Sequence, residues 1–140
     1  MKRFVLDCSV AVAWFFEDEF SEHSELVRQA LLNKGVVAVT PSIWPAEVSN
    51  VLFQAERRKR ISAIQVNQAV RVLSQLPIDV DYLPLGSMGH VLRLCRTYTL
   101  TSYDALYLEL ALRENMPLAT GDEKLKASAV AAGVEVFGQV

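Results

Sequence analysis

Four acidic residues, Asp7, Glu47, Asp104 and Asp122, stand where a shared pocket could be built from separate parts of the chain. Asp7 follows directly on Phe4-Val5-Leu6, an apolar run suited to a buried strand. Asp122 follows the short strand candidate Leu118-Ala119-Thr120. In open α/β sheets, ligands bind beyond the carboxyl ends of the strands, so these two carboxylates are expected to face one crevice. Glu47 lies early in a helix that starts near Pro45, beside the apolar stripe of Val48 and Val51. Asp104 opens a helix at Ser102, next to Ala105 and Leu108. Hard divalent cations prefer carboxylate oxygens, and four carboxylates brought close repel one another until a cation arrives.

Each acid also has a local explanation. Acids in a first helical turn are favoured by the helix dipole by about 0.3–1 kcal/mol. Thr101-x-x-Asp104 loosely matches a capping box, Asp122 is a candidate N-cap for the helix that follows, and Glu47 could be a solvated charge. Asp7 is harder to explain locally, because an acid directly after a buried strand needs a partner or a purpose.

The elements that must position these acids follow from patterning. Ser9 is a candidate cap for a helix through Val10, Ala13 and Trp14. Ser24 to Asn33 reads as a helix closed by Gly35, and Val36 to Val39 as a β-branched strand halted by Pro41. Val48, Val51, Leu52 and Ala55 recur at helical spacing after Pro45, which fits a first turn. The same periodicity continues through Val66, Ala69, Val70 and Leu73, between Ser62 and Leu76. Ile78, Val80 and Tyr82 alternate with Asp79, Asp81 and Leu83 between two prolines, as an edge strand would. Helices are expected over Ser87 to Arg96, Ser102 to Glu114 and Glu123 to Ala132, the last followed by Gly133, with a final strand over Val134 to Phe137. Strands alternating with helices point to an α/β sandwich around a mainly parallel sheet.

Composition bounds the rest. The 140 residues suit one domain spanning 1–140, and a 51% apolar fraction excludes disorder. A net charge of −2 excludes a strongly basic protein without excluding nucleic acid. Cys8 and Cys95 lack CxxC spacing and read as small buried apolar residues suited to a reducing cytosol; a zinc site with His23 and His90 lacks recognisable spacing. No signal-peptide pattern or membrane-length apolar run is present, so a cytoplasmic protein is expected. Arg57, Arg58, Lys59 and Arg60 form the one dense basic run, readable as phosphate contacts or as a solvated helix end. Trp14, Phe15, Phe16 and Phe20 offer base-stacking surface, with Trp14 and Phe15 better suited to the core.

The segments Phe4-Val5-Leu6-Asp7-Cys8-Ser9, Pro45-Ala46-Glu47-Val48, Ser102-Tyr103-Asp104-Ala105 and Leu118-Ala119-Thr120-Gly121-Asp122 come in the order and spacing of the PIN domain. The whole chain resembles VapC-type toxin ribonucleases of toxin–antitoxin pairs. The resemblance implies a three-layer α/β/α sandwich. It also implies that Asp7, Glu47, Asp104 and Asp122 gather around one or two Mg²⁺ or Mn²⁺ ions. Asp7 and Asp104 would be direct ligands, Glu47 and Asp122 direct or through water, and Ser9 and Thr120 supporting hydroxyls. The implied reaction is hydrolysis of an RNA phosphodiester. The implied partners are RNA, a second copy of the chain and a DNA-binding antitoxin that can place a basic side chain in the acidic pocket.

Two rival readings fail on single residues. A haloacid-dehalogenase-like phosphatase needs a second Asp where Ser9 stands, and a receiver domain needs an acidic pair that Cys8 interrupts. A PIN-like binding or regulatory module with little nuclease activity remains the alternative, and the complete acidic set weighs against it.

Overall fold

The strand candidates pair in parallel in the computed structural model, which describes residues 2–33 and 35–138. β1 (Lys2–Leu6) and β2 (Val36–Pro41) lie side by side. β3 (Ile78–Asp81) flanks β2, β4 (Leu118–Ala119) flanks β1, and the order is β3-β2-β1-β4 with every pair parallel. Parallel strands require crossovers, and among the described residues helices supply them: α1 (Cys8–Ala13), α2 (Glu22–Leu32), α3 (Trp44–Arg57), α4 (Ala63–Gln75), α5 (Met88–Tyr98) and α6 (Ser102–Glu114), with α7 (Glu123–Ala131) following β4. Right-handed crossovers set α1 to α4 on one face, where α1 packs against α2 and α3. They set α5 and α6 on the other, where α6 packs on β1 and β2. The expected α/β/α sandwich is the observed fold.

The helix boundaries have local causes. Ser21 caps α2 by accepting from the Ser24 amide, and the Ser24 hydroxyl closes the capping box, so this helix starts earlier than its apolar pattern suggests. Ser62 and Gln65 cap α4 in the same way. Gly133, at φ +85°, ends α7 in the left-handed region that favours glycine. The capping role expected of Ser9 is corrected: Asp7 holds the N-cap position of α1 without a side-chain cap, and Ser9 lies inside the helix. Its hydroxyl donates instead to the Asp7 carboxylate.

Phe4, Val5, Leu6, Leu108, Leu110 and Leu118 are among the buried residues of the core. β3 is the expected edge strand, but it ends at Asp81: Asp79 and Val80 are its exposed positions, Tyr82 just beyond it is 79% exposed, and Asp81 is half-buried. The inward carboxylate is matched by Arg113 of α6, which reaches Asp81 at 2.5 Å and the buried Glu109 at 2.6 Å. The strand expected over Val134 to Phe137 contracts to one parallel bridge, Leu118 to Val136. Two backbone hydrogen bonds hold it to Leu118, and Phe137 stacks on Phe4 with ring centroids 3.9 Å apart.

Candidate active site

β1 is the strand at which the chain's direction divides. It leaves into α1 on one face, while its neighbour β4 leaves into α7, which touches α6 of the opposite layer. Such a switch point opens a crevice at the carboxyl ends of the two strands. Asp7 ends β1 there, its amide donating to the Ala119 carbonyl at 2.9 Å. Thr120, Gly121 and Asp122 follow β4 on the other side.

Asp7 is buried, 6% exposed, and the local sequence equips it for that. Its Oδ2 accepts from the Ser9 hydroxyl at 2.6 Å and from the Thr120 hydroxyl at 2.7 Å. Ser9 Oγ in turn accepts from the Gly121 amide at 2.9 Å, and Thr120 Oγ1 from the Asp122 amide at 3.0 Å. The strand-end turns of β1 and β4 are thus tied through one carboxylate oxygen. Oδ1 has no donor among the described residues.

The other three acids arrive from three further helices. Glu47, in the first turn of α3, is half-buried and accepts at Oε1 from the phenol of Tyr107. Asp104, in the first turn of α6, is half-buried, and its amide is capped by Thr101 at 3.2 Å. Asp122 is exposed and caps α7, its Oδ1 accepting from the Leu125 amide at 2.9 Å. The capping role and the pocket role therefore coincide at Asp122 rather than compete.

The acids feel one another's charge. Burial raises the Asp7 carboxyl above its usual range; the hydroxyls of Ser9 and Thr120 oppose that, and Asp104 and Asp122 add to it. Glu47 is raised by burial and then, against the Tyr107 hydrogen bond, by Asp7 and Asp104. Asp104 is raised by burial and by Asp122, with Thr101 and Lys124 countering part of the effect. Among the described residues, no three His, Cys, Asp or Glu side chains close into a ready coordination set. The four carboxylates share a field without being locked together.

The donor chemistry fits a hard divalent ion: carboxylate oxygens only, one of them on a buried carboxylate and lacking a donor. Cys8 lies beside the site, but burial, Glu47 and Asp7 push its thiol up to about 12, so it stays protonated and apolar in role. Cys95 is likewise a free thiol.

The basic run sits elsewhere. Arg57 ends α3 and Arg60 follows it, on the order of 15 Å along the helix from Glu47 at 1.5 Å per residue. Arg60 is engaged with Asp18 at 3.0 Å and Glu19 at 3.4 Å, and lies over the Phe16 ring. Arg57, Arg58 and Lys59 are exposed. Phe16 is buried, Trp14 and Phe15 are half-buried, and Phe20 is exposed.

Sequence reasoning missed Tyr107 and Lys124. Tyr107 reads as one more apolar position on α6, although a buried phenol ordinarily needs a partner. Its spacing of three residues from Asp104, on the same helical face, was the available signal.

Comparison with known proteins identifies the family and agrees with the fold. The family profile described as PIN domain matches residues 4–131. Ribonuclease VapC1 of Mycobacterium tuberculosis, from strains CDC 1551 / Oshkosh and ATCC 25618 / H37Rv, is 34% identical over 110 residues, covering 75% of this chain and 77% of the relative. The crystal structure of PAE2754 from Pyrobaculum aerophilum shares the fold with a TM-score of 0.68 at 23% identity, over 91% of this chain and 79% of that one. VapBC2 from Rickettsia felis, bound to a DNA fragment from their promoter, gives 0.67 at 15% identity over 96% of both chains. With its acids on the sheet's switch point and the family profile spanning nearly its whole length, the chain belongs to the PIN-domain family, among its VapC-type members.

Proposed function

We propose that the protein is a metal-dependent endoribonuclease and the toxin of a toxin–antitoxin pair, its activity carried by one domain spanning residues 1–140. This reading is supported by Asp7, Glu47, Asp104 and Asp122, which come from four different elements and act on one another's charge: Asp104 and Asp122 raise Asp7, and Asp7 and Asp104 raise Glu47. The relative named ribonuclease VapC1 supports the nuclease assignment.

Asp7 and Asp104 would hold Mg²⁺ or Mn²⁺ directly, and Glu47 and Asp122 directly or through water. A divalent ion there supplies neutralisation of the phosphodiester, a lowered pKa for bound water and stabilisation of charge on the attacking and leaving oxygens. The chain's own residues do the rest. Ser9 and Thr120 fix the Asp7 carboxylate by occupying Oδ2, which leaves Oδ1 available. The Asp122 cap on α7 engages Oδ1 alone, so its second oxygen would remain free for the ion. Arg57, Arg58 and Lys59, exposed at the far end of α3, supply phosphate contacts that extend RNA binding beyond the scissile bond.

The partner assignment rests on the same family. A VapB-like, DNA-binding antitoxin would cover the crevice and place a basic side chain among the acids, and a second copy of the chain would complete a homodimer. Exposed apolar residues on α3 and α4, among them Phe53 at 53% and Ile64 at 70%, offer surface for such contacts. Among the described residues no helix is long and apolar enough to cross a membrane, and two free thiols suit a cytoplasmic setting.

Purified protein is expected to cut RNA with Mg²⁺ or Mn²⁺ and to stop when a chelator is added. Cleavage that persists undiminished in chelator overturns the metal-dependent reading.

A further inference from the structure

Tyr107 has no exposed surface, yet its phenol does not end in the apolar core that surrounds its ring. It donates across from α6 to Oε1 of Glu47 on α3. Asp104 stands one turn earlier on the same helix. One face of α6 therefore carries both an acid of the site and the donor that grips a second acid from the opposite layer. Glu47 is half-buried, and the described residues give its Oε2 no partner. A glutamate side chain has three rotatable bonds, and fixing them costs conformational entropy that an ion alone would otherwise have to overcome.

We propose that Tyr107 is a positioning residue for Glu47: its hydroxyl occupies Oε1 and pre-sets the side chain so that Oε2 is the oxygen offered to the divalent ion. The inference rests on the ion site proposed above. Partners that orient a ligating carboxylate usually cost about 10–100-fold in metal affinity when removed. Tyr107→Phe deletes one oxygen and leaves the ring that fills the core.

The test is equilibrium binding of Mn²⁺ to the full chain, read by the electron paramagnetic resonance of the free ion, with folding followed by circular dichroism. Tyr107→Phe is expected to weaken Mn²⁺ binding about tenfold, at the lower end of that range. Glu47→Ala should weaken it further, and the double variant should bind no worse than Glu47→Ala, because with the carboxylate gone the hydroxyl has nothing to hold. A merely structural role for Tyr107 would instead add its loss to that of Glu47→Ala. Parental affinity in folded Tyr107→Phe, or additive losses, overturns the positioning role while leaving the ion site intact. A parent chain that binds no Mn²⁺ removes the site itself and this inference with it.

A second measurement serves if Tyr107→Phe does not fold. In ¹³C-tyrosine-labelled parent protein, the Cζ signal of the shielded ring of Tyr107 should move on titration with Mg²⁺, and should stay still in Glu47→Ala. A fixed signal in a parent chain that binds Mg²⁺ overturns the proposal.

Discussion

At the scale of single residues, the site is a balance between burying charge and satisfying it. Asp7 is held with its proton affinity raised, chiefly by burial and partly by Asp104 and Asp122. Glu47 and Asp104 are raised for the same first cause. Such groups bind protons more tightly folded than unfolded, so stability is lost as pH rises from the ordinary carboxylate range through the raised values. In chelator, the parent's melting temperature relative to Asp7→Asn should therefore fall between mildly acid and neutral pH, and added Mg²⁺ should reverse the deficit by mass action. Differential scanning calorimetry of both chains across that range checks it; a flat difference contradicts the charge balance described. The acids were legible in the sequence because each stands beside an apolar run that fixes where it must lie. Ser9 was legible only as a hydroxyl near a helix start, and the short strand end turned it from a cap into the link between Asp7 and Gly121. Tyr107 was hidden because its single polar atom has no effect on helical periodicity.

At the scale of elements, Asp122 serves two masters, and the two can be separated. It caps α7 through Leu125, and its charge also acts on Asp7. Asn caps about as well as Asp, whereas Ala costs about 0.5–2 kcal/mol. Asp122→Asn should keep the parental melting temperature and lose ion-dependent cleavage, and Asp122→Ala should lose both. Equal melting temperatures for the two variants would show that the cap carries no stability. A second element-level prediction concerns β3. Arg113 joins Asp81 to Glu109, and Glu109 is only 4% exposed. Arg113→Ala leaves that carboxylate buried without a partner, a loss of about 3 kcal/mol readable by urea unfolding. Helices were the easiest elements to read, because Pro45, Ser62 and Gly133 punctuate them. The strands at the sheet's edges were not. Val80 continues the apolar pattern of β3 but is exposed, Tyr82 falls beyond the strand, and half-buried Asp81 is held by Arg113. The final strand shrank because the two-residue β4 offers a following segment little to pair with.

At the scale of the whole molecule, strand order decides which of the scattered acids become neighbours. Composition and periodicity foretold a parallel sheet, but not that β1 would lie between β2 and β4. That order brings residues 7 and 122 to adjacent strand ends. The net charge of −2 reads differently in this light: setting the four site acids aside from 16 leaves 12 acidic against 14 basic residues. Under the proposed function, the acids of the site would be set on a slightly basic body suited to approaching RNA. Within that body, Arg60 is committed to Asp18, Glu19 and Phe16. The salt dependence of RNA binding should therefore weaken in Arg58→Ala/Lys59→Ala more than in Arg60→Ala, as filter binding across a salt series will read. The central claim, that the crevice acids bring divalent ions to an RNA phosphodiester, is tested most directly by RNA cleavage with saturating Mn²⁺. The comparison is between the parent chain and Asp7→Asn and Asp104→Asn variants shown to be folded. The account expects cleavage by the parent and its loss in both variants; cleavage at the parental rate by either folded variant would contradict it.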